Sequence, residues 1–106
     1  MKTRAEAQKL GDAALTLLGD AGKGWHVRVW ENLGWHANLV SPCGRMKVHW
    51  NTFPENGTSY IAYLGDADSP GGYWTGSAST PQAAIAKAVE AGRAELKRVQ
   101  ELMQGW

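Results

Sequence analysis

The chain is short of cysteine, proline and phenylalanine, with one Cys, four Pro and one Phe in 106 residues. Cys43 has no partner for an internal disulfide, which points to a reducing compartment rather than a stapled secreted fold. Charge of one sign is also missing, because eleven Lys and Arg against ten Asp and Glu leave a formal net charge of +1. No global field therefore draws the chain to nucleic acid or to an anionic membrane, and the acidic excess of a DNA mimic is absent. No run approaches the ~18 apolar residues of a membrane span. The opening MKTRAEAQKL has charges with no apolar stretch behind them, so it does not read as a secretory signal. The expectation is a cytoplasmic protein without membrane contact, one domain over residues 1–106.

Tryptophan and glycine are abundant, at six and thirteen residues. Four of the Trp and all three His fall in GWHVRVWENLGWHANLVSPCGRMKVHW, Gly24 to Trp50. This stretch alternates with period two. Trp25, Val27 and Val29 interleave with His26, Arg28 and Trp30. Trp35, Ala37 and Leu39 interleave with His36, Asn38 and Val40. Met46, Val48 and Trp50 interleave with Arg45, Lys47 and His49. Each run predicts a half-buried antiparallel strand. Asn32-Leu33-Gly34 and Pro42-Cys43-Gly44 are turn chemistry between them. A third turn at 54–57 leads to a fourth strand over 59–64, and Tyr73–Gly76 has room for a short edge strand.

Helices flank this meander. Thr3 and Glu6 have capping-box spacing, and Leu10, Ala14, Leu17 and Leu18 recur at helical spacing over 4–18. Thr80 with Pro81 behind it opens a second helix over 81–104. The fold class is therefore α+β, a two-layer sandwich of order α-β-β-β-β-α with both helices on the apolar sheet face. A two-residue Pro42-Cys43 turn sets Leu39 opposite Met46, Ala37 opposite Val48 and Trp35 opposite Trp50, all buried. It also sets His36 beside His49 and Val40 beside Arg45 on the other face. Trp25, Trp35 and Trp50 are then core, and Trp30→Ala is close to neutral.

The open face collects Arg28, Trp30, His36, Arg45, Lys47, His49 and Tyr63, the candidate partner-binding residues. Aromatics beside Arg and Lys suit single-strand nucleic acid. Trp with Arg equally suits a protein hot spot, and a merely solvated face has the same composition. Catalytic and metal chemistry find no complete set. His36 and His49 lack the further ligands of a zinc site, and Cys43 lacks an adjacent base. Asp66 and Asp68 lack the spacing of a calcium loop, and no Gly-Lys-Ser/Thr follows Gly71-Gly72. Glu90 and Glu95 read as the wet side of a helix. No enzyme, cofactor or metal is expected.

Two resemblances follow from particular segments. SYIAYLGDADSPGGYWTGSASTPQAAIAKAVEA resembles the core of HicB-type antitoxins at Tyr60, Ala62, Pro70, Gly71, Gly76 and Thr80, although Pro81-Gln82 stands where an acidic pair is usual. The layout of a Trp-containing sheet closed by a helix after a Thr-Pro turn (STPQAAIAKA) is similar to small phage and prophage "phage ABA sandwich" proteins. That resemblance implies phage origin and action in a bacterial cytoplasm. The function expected is a non-enzymatic protein-binding accessory factor, in concrete form an inhibitor of a bacterial defence nuclease as anti-CRISPR proteins are. The alternatives are a nucleic-acid-binding module on the basic sheet face and a HicB-like antitoxin. Leu96, Val99, Leu102 and Met103 continue the apolar stripe beyond the reach of the sheet. Either the first helix covers them, with Gly11 and Gly92 allowing close approach, or a homodimer does through residues 93–104.

Overall fold

A computed structural model describes residues 2–53, 55, 57–65 and 73–106. The element order is α1 (Arg4–Leu18), a 3-10 turn (Gly19–Gly22), β1 (His26–Glu31), β2 (Trp35–Val40), β3 (Met46–Phe53), β4 (Gly57–Gly65), β5 (Tyr73–Ala78) and α2 (Pro81–Gln104). The strands form one antiparallel meander in sequential order. The fold is the expected α+β sandwich, with the edge strand allowed at Tyr73–Gly76 formed as a fifth. Asp66, Asp68, Pro70 and Gly71-Gly72 lie outside the described residues.

Both helix starts follow from the sequence. The Thr3 hydroxyl accepts from the Glu6 N–H at 3.1 Å, and the Thr80 hydroxyl accepts from the Ala83 N–H at 3.3 Å. Each side chain thereby satisfies a backbone donor that the first helical turn leaves free. The two helices pack on one sheet face around a single buried cluster. It joins Ala14 and Leu18 of α1, Ala84 and Ala88 of α2, and Leu39, Met46, Val48 and Ala62 of the sheet. Alanine dominates because the helices sit close to the sheet. At Gly76 of β5 a Cβ would lie 2.6 Å from the Ala88 amide nitrogen and 2.6 Å from the Lys87 Cβ. Only glycine admits α2 at that separation.

The β2–β3 register differs from the sequence expectation. Leu39 pairs with Val48 and Val40 with Lys47, so the proposed pairs Leu39–Met46, Ala37–Val48, Trp35–Trp50, His36–His49 and Val40–Arg45 do not form. The cause is the turn. Ser41 and Met46 close it, with the Ser41 N–H donating to the Met46 carbonyl at 2.9 Å, so four residues intervene instead of two. The Ser41 hydroxyl also accepts from the Met46 N–H at 3.0 Å, and Gly44 takes the left-handed φ of 76° that the loop requires. The shift is by two residues, one full period of a strand, so the residues within β2 and β3 keep their expected faces, while Arg45 falls in the turn.

The tryptophans are also corrected. Trp25, Trp35 and Trp50 are half-buried rather than core. Trp25 and Trp50 pack against the buried cluster from its margin, and Trp50 faces Tyr60 of β4. Trp35 pairs with Glu31 at the far end of β1–β2, away from Trp50.

The contact proposed between Gly11 and Gly92 is absent. Gly11 faces the Val27 side chain, and Gly92 faces Leu64 and Trp74, so each glycine admits the sheet and not the other helix.

Candidate interaction face

The sheet face opposite the helices is built by register. Antiparallel partners share a face, so Arg28 with Asn38, Trp30 with His36, Lys47 with Tyr63 and His49 with Ile61 all point away from the helices. Their side chains form a connected row. Trp30 of β1 stacks on His36 of β2, centroids 5.6 Å apart and planes 24° apart. The Arg28 guanidinium carbon lies 5.3 Å from the Trp30 ring centre. His49 of β3 meets Trp30 edge-on at 6.2 Å and Tyr63 of β4 edge-on at 5.3 Å. Four strands thus contribute to one ring cluster, each contact within the range where aromatic pairs attract.

The cluster is oriented from beneath and from the side. His36 Nε2–H donates to the Asn32 carbonyl at 2.8 Å, which fixes the orientation of the ring. Burial pushes the His49 imidazole below the ordinary histidine pKa, and the positive charges of Lys47 and Arg28 act in the same direction. His49 is accordingly neutral at pH 7, and the positive charge of the face resides on Arg28 and Lys47.

Of the seven candidate residues, Arg28, Trp30, His36, His49 and Tyr63 are brought into contact, and Lys47 adjoins Tyr63 in register. Arg45 lies apart, exposed in the β2–β3 turn. Two residues gain a role that sequence reasoning missed. Asn38 shares the open face but is only 3% exposed, and its Oδ1 accepts no hydrogen bond among the described residues. The Trp30–His49 contact passes from β1 to β3 across β2, and Asn38 is the central β2 residue on that side. Leu33 is the second. It holds a left-handed φ of 54° at the β1–β2 turn and is fully exposed, an apolar side chain on a conformation unusual for a branched residue. Leu33 is beside Asn32, the residue that anchors His36.

No group of three or more His, Cys, Asp or Glu able to hold a metal occurs among the described residues. The exposed Cys43 thiol is held below its ordinary pKa, first by the Ser41 hydroxyl and then by the Arg45 backbone. Its side-chain neighbour at 3.5 Å is thus a hydroxyl and not a base. No helix among the described residues is long and apolar enough to cross a membrane. No family model, no curated protein and no solved structure matches this chain.

Proposed function

We propose that this chain is a non-enzymatic binding protein whose open sheet face docks a protein partner. One observation carries the reading. The rings of Trp30, His36, His49 and Tyr63 are packed on one another before any partner arrives. A preassembled group of Trp, Tyr and Arg is what protein hot spots use, since little side-chain freedom remains to be lost on docking. Base stacking needs the opposite, an aromatic face left open for each nucleotide. The Trp30 ring already carries His36 and Arg28. Arg28 and Lys47 at the margin favour carboxylates on the partner, and the exposed Leu33 adds an apolar contact at one end.

In its concrete form the partner is a bacterial defence nuclease, and the chain is a phage-type inhibitor acting in the bacterial cytoplasm. The resemblance to small phage sandwich proteins supports the phage origin and the bacterial cytoplasm and implies no activity. The test is expression in a bacterium whose nuclease restricts a phage. Restored plating by the native chain, lost with Arg28→Glu/Lys47→Glu at equal protein level, is the expected result. Tight binding of a single-stranded oligonucleotide that weakens steeply with salt would point to phosphate contacts and to the nucleic-acid alternative.

A further inference from the structure

The side of α2 that packs on the sheet continues beyond it. Val99 lies three helical turns past the buried Ala88, and α2 ends at Gln104, two residues before Trp106. The side chains of Leu96, Val99, Leu102 and Met103 remain between 41% and 68% exposed, and Trp106 is fully exposed. Gly92 faces Leu64 and Trp74 of the sheet, and Leu96 one turn further on is 57% exposed. Residues 93–104 of α2 therefore run about 18 Å beyond that contact at 1.5 Å per residue. The long axis of the molecule is 55 Å, against 28 and 25 Å for the others. α1 leaves these side chains exposed, and its Gly11 faces Val27 of β1.

We propose that residues 93–106 pair antiparallel with the same segment of a second copy, Leu96 of one chain against the partner's Met103, about a two-fold axis near Val99 and Gln100. Three features select this occupant. A second copy presents the same apolar stripe, and a two-fold axis lets each copy fill the other's shelf. The shelf's charge is close to balanced, with Arg93, Lys97 and Arg98 against Glu95 and Glu101, and Arg98 Nε donates to Glu95 at 3.0 Å. It therefore steers neither an acidic partner nor an anionic membrane. The area is also matched to a weak dimer. At roughly 100 Å² for an aliphatic side chain and about 200 Å² for Trp, partly exposed, the stripe offers on the order of 500 Å² per copy. Small specific interfaces bury ~600 Å² per partner.

Sedimentation velocity on the full chain tests the association, and cysteine cross-linking tests the register. A monomer–dimer equilibrium with a dissociation constant in the range of about 1–100 µM is expected. Val99→Glu should raise that constant at least about tenfold with the thermal midpoint unchanged, because Val99 is outside the buried cluster. In a Cys43→Ser background, Val99→Cys should form a disulfide-linked dimer. Leu96→Cys alone should not, since the two copies of residue 96 are about 10 Å apart along the axis, beyond disulfide reach. Mixed Leu96→Cys and Met103→Cys chains should cross-link to each other. A monomer at all concentrations up to about 200 µM, or Leu96→Cys linking to itself as readily as Val99→Cys, overturns the proposal.

Discussion

Trp30 lies stacked on His36 across the β1–β2 pair, with ring centroids 5.6 Å apart. The contact ties an aromatic ring to a histidine that is itself fastened to the Asn32 carbonyl. Trp30 is thus half-buried on a face that strand alternation alone marks as solvated. Trp30→Ala should cost about 1–2 kcal/mol through lost ring contacts and burial. Urea denaturation measures this, and a change under about 0.3 kcal/mol would show that the stack contributes nothing to stability.

Asn38 presents a second expectation on the same face. A buried acceptor without a hydrogen bond carries a desolvation cost of roughly 1–3 kcal/mol. Asn38→Leu should therefore raise the thermal midpoint by about 4–8 °C for each kcal/mol recovered in a domain of this size. If the open face docks a partner, the same variant should bind it more weakly. A lowered midpoint in calorimetry would show that Asn38 is satisfied in solution.

The core lies at Leu39 and Val48, both 0% exposed and directly paired. Leu39→Ala should cost roughly 2–5 kcal/mol, the range for aliphatic truncations in a core. Against a total stability of ~5–15 kcal/mol this removes a large share. Trp35→Ala, at the margin, should cost less despite its larger side chain. Denaturation midpoints in the reverse order would contradict the register.

Gly76→Ala introduces a Cβ against the backbone of α2, where no flexible side-chain end is available to give way. The helix must lift, at a cost of roughly 1–3 kcal/mol, typical of overpacking. The same substitution at Gly92 meets the Leu64 Cδ2 at 3.1 Å, a side-chain tip that can move. Gly92→Ala should be tolerated or stabilising, because alanine favours the helix by about 0.8–1.0 kcal/mol. Paired melting curves decide between the two sites.

His49 makes stability depend on pH. Its folded pKa lies below the unfolded value of 6.5, through burial first and then Lys47 and Arg28. Between those two pKa values the unfolded chain binds more protons, so stability rises with pH there. His49 thus contributes stability that is present above pH 6.5 and lost on acidification toward and through its folded pKa. His49→Gln should flatten the part of the profile that lies below pH 6.5. An unchanged acid slope in the variant would assign the dependence to other groups.

Local chemistry determined much of this protein without reference to any distant residue. The Thr3 and Thr80 caps, the helical spacing that follows each, and the period-two runs around Val27, Leu39 and Val48 are each properties of a few neighbouring residues. Their extents follow directly, as in Arg4–Leu18 and Pro81–Gln104. Faces were legible for the same reason, since a two-residue error in register leaves alternation intact. The assembly of the ring cluster was not legible. It depends on a four-residue turn whose length is set by Ser41 bonding to Met46, and on Trp30 reaching across β2 to His49. Burial was likewise decided in three dimensions. Asn38 is covered because it lies on a central strand beneath a side-chain contact between its neighbours, whereas Trp35 is partly open because it lies at the end of a strand. A side chain's own hydrophobicity is a property of the sequence, but the water it loses depends on what the tertiary fold places over it.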